Sequence, residues 1–281
     1  MQIEVKNLSS IYFKKSKNPV HALHDVSLSI EKNDFVALIG ETGSGKSTLV
    51  QHFNALIVPD EGEVKVDEYV LKNKKNKNVK KLRKLVGVVF QFPEYQLFEE
   101  TVEKDVAFGP RNFGDDEETS LKKAHEALLS VGLDESYFTK SPFDLSGGEK
   151  RRVAIAGILA LNPEILALDE PTAGLDPVGR EIILSLLKKL HDEGKTIIIV
   201  THDMSIVMEN CNKVIVLKDG HLKYLGKPSN LFETDLEGLS IEVPPFYKMA
   251  KLLKEKGYNL DLSKVTTQEI LLETIKNGGR Q

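Results

Sequence analysis

Apolar and polar positions alternate through the opening of the chain: Ile3 and Val5 sit between polar neighbours, and 22–30 alternates again up to Glu31-Lys32-Asn33-Asp34, a turn. A period of two predicts half-buried strands. Positions 35–39 are all apolar, the pattern of a strand covered on both faces. Near-continuous apolar stretches return at 85–90, 165–168, 196–200 and 213–217, each predicting another buried strand. Helical spacing lies between them. A helix is expected over 47–56, closed by Pro59 and Gly62 before a short strand at 63–66. Leu121, Ala124, Leu128 and Leu129 form a stripe over 121–131 that Gly132 stops, and 150–161 ends at Asn162-Pro163. Helices at 178–191 and 203–209 alternate with the later strands, and Asp219-Gly220 predicts a hairpin turn into 221–225.

This rhythm predicts an α/β fold over 1–225 with a helical subdomain inserted at about 95–162. Gly226-Lys227-Pro228 marks a boundary, and 226–281 is expected to form a small helical annex whose last residues, 277–281, fray.

Composition narrows the function classes. The 281 residues are 41% hydrophobic and 28% charged, an ordinary globular balance that can bury a large core without staples. A single cysteine, Cys211, offers neither a disulfide framework nor metal-ligand spacing. The net charge of −4 argues against a nucleic-acid partner. The Lys/Arg run at 72–84 (Lys72, Lys74, Lys75, Lys77, Lys80, Lys81, Arg83, Lys84) lacks interleaved aromatics, so it reads as a solvated hairpin or loop leading into a helix. No apolar stretch approaches the roughly 20 residues that span a bilayer, and the N-terminus lacks signal-peptide character, so a cytoplasmic location is expected.

The candidate chemistry is concentrated in three places. Gly40-Glu41-Thr42-Gly43-Ser44-Gly45-Lys46-Ser47, followed by Thr48, joins a buried strand to a helix. Its glycines let backbone N–H groups wrap phosphate oxygens, Lys46 supplies a mobile positive charge, and the Ser47 hydroxyl suits Mg²⁺. Asp169 and Glu170 end the strand at 165–168, where one carboxylate can hold the metal and the next can polarise an attacking water. Leu145-Ser146-Gly147-Gly148-Glu149 places serine and two glycines at a helix start, a second phosphate-binding edge. One chain with one phosphate loop has no need of that edge in cis, which suggests use in trans.

Together these motifs resemble the nucleotide-binding cassette ATPases of ABC transporters, P-loop NTPases, over nearly all of residues 1–225. The resemblance implies a mixed sheet core with an antiparallel β subdomain, ATP and Mg²⁺ as ligands, and a second cassette as partner. It implies that Tyr12, which does not fall in a clean alternating strand, stacks on adenine and that 40–48 cradles phosphate. It further implies that Gln91 contacts Mg²⁺ and the attacking water, that Asp169 holds Mg²⁺ with Ser47, and that Glu170 is the catalytic carboxylate, assisted by Lys46 and His202. Ser146, Gly147 and Gly148 would close over the γ-phosphate of the opposing cassette, and Ala173-Gly174-Leu175-Asp176 would cross the dimer interface. One departure is Glu149 where the family usually has Gln; that position is expected to lie beside the phosphate contacts, with little loss. His21, His24, His125, His191 and His221 show no evident partners in sequence.

Phe90-Gln91-Phe92-Pro93-Glu94-Tyr95-Gln96-Leu97-Phe98 and Val106-Ala107-Phe108-Gly109-Pro110-Arg111-Asn112 resemble, within that family, the ATP-binding proteins of energy-coupling factor transporters, which import vitamins or transition-metal ions. That resemblance implies an integral membrane coupling subunit docking at 91–98, a separate substrate-binding membrane subunit, and a place on the cytoplasmic face of the cell membrane. It also implies an annex that helps cassettes pair, and a second-cassette type within a pair of related but different chains, with a homodimer possible. A conventional ABC importer of amino acids or metals is the alternative. A chromosome-structure ATPase would insert a long coiled coil where only about 100 residues separate Ser47 from Ser146.

Overall fold

The computed structural model describes residues 1–74, 76, 78–234, 237–239 and 241–277. Among the described residues ten strands form two sheets: an antiparallel one in the order β2-β1-β4-β5 and a larger one in the order β10-β9-β3-β8-β7-β6. The first sheet comprises β1 (Ile3–Tyr12), β2 (Val20–Ile30), β4 (Glu61–Val66) and β5 (Tyr69–Leu71). The second comprises β3 (Phe35–Ile39), β6 (Val86–Val89), β7 (Ile165–Asp169), β8 (Thr196–Val200), β9 (Lys213–Lys218) and β10 (His221–Gly226). From β9 to β6 all pairings are parallel, and only β10 runs antiparallel, on its hairpin with β9.

The continuous apolar strands are explained by two cores sharing one sheet. Phe35, Ala37 and Ile39 of β3 point into one core while Val36 and Leu38 point into the other. Leu166 and Leu168 of β7 divide from Ile165 and Ala167 in the same way, as do Ile197 and Ile199 of β8 from Ile198 and Val200. The first core is filled by the helices, the second by the antiparallel sheet and α1 (Lys46–Phe53). Both faces of each central strand are therefore dry, and a polar side chain on either would be left without water.

Three further helices lie between β6 and β7. The first, α3 (Val102–Phe113), was not anticipated from sequence because Gly109 and Pro110 interrupt its apolar pattern; Val102, Val106, Ala107 and Pro110 nonetheless form its buried stripe. Thr101 caps it, accepting from the Lys104 N–H. The helix expected at 121–131 begins earlier, as α4 (Glu117–Ser130), capped by Asp116. The one expected at 150–161 is α5 (Gly147–Leu159), so both glycines of the 145–149 motif belong to its first turn. Leu85, assigned to a strand from its apolarity, closes the helix α2 (Val79–Leu85), and α1 ends at Phe53 rather than Leu56. Of the basic run, Lys75 and Lys77 lie outside the described residues. Lys72 pairs with Glu63 at 2.6 Å, and Arg83 donates to the Ala55 carbonyl at 3.0 Å.

After β7 come α6 (Pro177–Asp192) and α7 (Met204–Asn210). The C-terminal segment holds α8 (Pro228–Leu231), α9 (Pro245–Glu255) and α10 (Gln268–Asn277); the fraying expected at 277–281 falls on residues 278–281 outside the described set and on the final residue of α10. Ala250, Leu260, Val265 and Leu271 make a small separate core there, while fully buried Tyr247 anchors α9 to the main one against Phe232, ring centres 4.7 Å apart. Among the described residues no helix is long and apolar enough to cross a membrane.

Candidate functional site

Parallel strands send their carboxyl ends to one edge of a sheet, and that edge collects the chemistry. There, β3 leads into 40–47, β6 into Gln91, β7 ends on Asp169 and β8 runs into Thr201-His202. The loop at 40–47 depends on its glycines. Gly40 sits at φ 143°, where a Cβ would collide with the Leu217 carbonyl, and Gly45 at φ 100°, where one would lie 2.5 Å from the Ala22 carbonyl. Gly43, at φ 84°, faces open space. Lys46 folds back over the loop: its ammonium donates to the carbonyls of Gly40 (2.8 Å) and Glu41 (2.7 Å) and to Ser44 Oγ at 3.4 Å. Burial lowers the Lys46 pKa from its ordinary value, outweighing the opposing pull of Asp169 and Glu170.

The Ser47 hydroxyl donates to Asp169 Oδ2 at 2.7 Å, across 122 residues of chain. Glu170 stands at φ 50°, a left-handed backbone unusual for a non-glycine residue and frequent at functional sites. Its N–H is held by the Val200 carbonyl at 2.9 Å, and its side chain is only 17% exposed. Its Oε1 lies 2.8 Å from Nδ1 of His202, a ring 84% exposed. Tyr12 is within a strand after all, as the last residue of β1 opposite Val20; three register shifts in β1 break the alternation that would have revealed it. Its hydroxyl lies 3.2 Å from Thr48 Oγ1. Tyr12, His21, Gly43, Lys46, Ser47 and Thr48 border one recess of about 270 Å³. Glu41 and Thr42 are exposed at the crest of the loop, Ser44 is buried within it, and Gln91 is exposed after β6, with no hydrogen bond joining it to Ser47 or Asp169.

A second recess, of about 370 Å³, is bordered by Ser146, Gly148, Glu149, Leu175, Asp176 and Gly179, and none of these lines the first. Gly147, beside them in the first turn of α5, has open space at its Cβ position. Asp176 caps α6, accepting from the Gly179 N–H at 3.0 Å. Ser146 caps α5 through a reciprocal capping box with Glu149. Glu149 holds the serine: its Oε2 accepts both the Ser146 N–H (2.8 Å) and the Ser146 hydroxyl (2.7 Å), while Oε1 accepts the Tyr137 hydroxyl at 2.7 Å. The Ser146 side chain, then Tyr137 and the Ser146 backbone, pull the Glu149 carboxyl down to about 2. The spacing Ser-x-x-Glu was the sequence signal for this arrangement.

Between β6 and α3, a short 3-10 turn (Pro93–Gln96) carries exposed Tyr95, flanked by exposed Phe92 and Phe98; Phe98 meets Phe108 edge-on at 4.9 Å. Beneath it Glu94 receives a two-pronged contact from Arg151 of α5, Nε at 3.2 Å and Nη2 at 3.0 Å, a residue that sequence alone did not single out. Five further histidines, His21, His24, His125, His191 and His221, have partners. His125 Nε2 lies 2.8 Å from Glu103 and His191 Nε2 2.9 Å from the Asn33 carbonyl, and His21, His24 and His221 stack with ring centres 5.4 and 4.6 Å apart. Burial, then the neighbouring His221 and His21, lowers the His24 pKa.

Residues 23–173 match the model of the ABC transporter family. The energy-coupling factor transporter ATP-binding protein EcfA2 of Streptococcus pneumoniae (strain D39) is 50% identical over 272 residues, covering 96% of this chain and 98% of that protein. Among solved structures, cbiO1 from Clostridium perfringens, part of the ABC transporter complex cbiONQ, is similar at TM-score 0.71 and 39% identity, over 83% of this chain and 90% of that one. The ATP-binding cassette MJ0796, in a dimeric post-hydrolysis state bound to ADP and Pi, is similar at TM-score 0.74 and 35% identity, over 80% of this chain and 98% of that one. The fold is that of a P-loop ATPase cassette, and the chain belongs to the ABC transporter family, among its energy-coupling factor transporter ATP-binding proteins.

Proposed function

We propose that this chain is the ATP-hydrolysing subunit of an energy-coupling factor importer, in which a second cassette completes its active site and membrane subunits select a vitamin or transition-metal ion. The observation that carries the reading is the separation of two recesses: one joins Tyr12 to the phosphate loop, the other joins Ser146 and Gly148 to Asp176. A head-to-tail pair would bring the first recess of one chain against the second of its partner. The pairing chain is taken to be related but different, with the annex at 226–281 assisting through exposed Met249, Leu252 and Leu272.

In this mechanism Tyr12 stacks on the base and the N–H groups of 40–48 hold the phosphates. Lys46 exchanges its loop carbonyls for phosphate oxygens. Ser47 and Asp169, a hydroxyl and a carboxylate within 2.7 Å, are oxygen donors of the kind a hard cation takes, and they fit Mg²⁺ together with Gln91. The ion's contribution when bound is to neutralise charge on the phosphate oxygens. Glu170 accepts a proton from water as the water oxygen bonds to the γ-phosphorus and the bond to the ADP oxygen breaks. His202, paired with Glu170, orients that carboxylate and donates to the γ-phosphate, while Ser146, Gly147 and Gly148 of the partner cover it from the other side. The aromatic segment at 91–98 docks the membrane coupling subunit, which holds the chain at the cytoplasmic face of the membrane.

Co-purification from membranes tests this reading. The expected companions are a second, related cassette, an integral coupling subunit and a substrate-binding membrane subunit. Recovery of a conventional permease with a soluble binding protein would point to the other kind of importer.

A further inference from the structure

Arg151 is a charged side chain only 5% exposed, and it sits where three functional segments meet. It belongs to the second turn of α5, which Ser146 caps and whose first turn carries Gly147 and Gly148. Its Nε and Nη2 grip both oxygens of Glu94, in the aromatic segment 57 residues earlier. The guanidinium carbon also lies 5.8 Å from the ring centre of Phe92 in the same segment. Its remaining nitrogen, Nη1, is buried without a hydrogen-bond partner among the described residues and stands 3.9 Å from where a Cβ on Gly174 would lie, in the 173–176 loop. A buried N–H without an acceptor is costly and needs a reason. The nearest feature that could supply one is the 173–176 loop, which Nη1 approaches at Gly174.

We infer that Arg151 is a positioning residue that couples the docking segment at 91–98 to the signature edge at 146–148, with Nη1 taking an acceptor from the 173–176 loop when two cassettes close. The two-pronged contact fixes the plane of the guanidinium as well as its position, so displacement of Glu94 by a docked partner turns α5 at the end where its phosphate-binding edge lies. Lysine would keep the charge and lose the plane, because an ammonium offers no fork. The inference rests on the docking role proposed for 91–98 and on hydrolysis by a cassette pair.

The test uses the complete membrane complex in lipid vesicles and the soluble cassette pair, with ATP as the probe, and reads the ratio of hydrolysis in the complex to hydrolysis in solution. Arg151→Lys and Glu94→Gln should each leave ATP affinity of the soluble chain within about twofold yet lower that ratio about tenfold. The double variant should be no worse than either single one, the signature of a shared interaction. An unchanged ratio in both variants, with the complex assembled, overturns the role of Arg151 alone. A ratio lost in Arg151→Lys but kept in folded Glu94→Gln reduces Arg151 to a packing residue and overturns it equally. Failure of the docking reading has a different mark: Tyr95→Asp would still assemble with the membrane subunit, and the inference would fall with it.

Discussion

The phosphate-loop edge and the signature edge both present N–H groups at the start of a helix, yet they are built in opposite ways. At the first, partners far apart in sequence converge: Ser47 meets Asp169 and Glu170 meets His202 across the parallel strands, and Tyr12 of the antiparallel sheet meets Thr48 of α1. At the second, the contacts are local. Ser146 and Glu149 close a capping box three residues wide, and Tyr137 reaches in from only 12 residues away. The first edge is a product of the whole fold and, in the proposed mechanism, carries the reactive groups; the second is a locally closed element that the proposal assigns to the partner's site. That division predicts which substitutions stop chemistry within one chain and which act only through the pair.

Glu170→Gln should have the largest effect, lowering ATP turnover by about 100-fold or more while ATP still binds; steady-state hydrolysis beside equilibrium ATP binding measures it. Retained turnover would move the reaction away from the long-range edge. Gly148→Asp should lower turnover by a comparable but smaller factor, about 30-fold, through charge repulsion at the partner's γ-phosphate. Because it lies outside the first recess, ATP affinity of the isolated chain should stay unchanged; weakened binding to the single chain would break the comparison.

Acid should separate the two edges. In α1, burial holds the His52 imidazole down at about 4 from 6.5, so the unfolded chain takes up its proton first. Stability is therefore full above pH 6.5 and falls as pH drops towards 4, by about 3 kcal/mol at most. Glu149 acts in a lower window: with its carboxyl pulled from 4.5 to about 2, its contribution is present above pH 4.5 and lost as pH falls towards 2. Urea unfolding at pH 7.5 and 5 should show most of the His52 loss, and His52→Leu should flatten that difference. The smallest effect belongs to Glu149→Gln. Removing one charge beside Ser146 should raise turnover of the pair by about two- to threefold at saturating ATP; a fall would mean that the carboxylate's hold on the Ser146 hydroxyl matters more than its charge.

The same contrast governs what could be read before the fold was known. Strands β3, β7 and β8 were legible because their apolar runs are continuous, which is what two cores on one sheet demand. The Gly-rich loop and the Asp169-Glu170 pair were legible because each is contiguous in sequence. Helix α3 was hidden by Gly109 and Pro110, residues that usually end helices but here sit late in one whose buried stripe is supplied by Val102, Val106 and Ala107. The strand carrying Tyr12 was hidden by bulges, which shift the alternation from one face to the other. The grip of Arg151 on Glu94 spans 57 residues and follows no spacing rule, so only the packed structure could reveal it.

The posture of Lys46 has a consequence for turnover. Its ammonium already holds two carbonyls and a hydroxyl of its own loop, so an arriving nucleotide does not gain a naked cation. If Lys46 holds phosphate as proposed, the nucleotide must displace these internal ligands, and when it leaves they take the cation back. In that mechanism the loop acts as an exchange ligand for its own lysine, which would moderate affinity and ease the departure of ADP. A pump that must reset after every stroke benefits more from that reversibility than from tight capture.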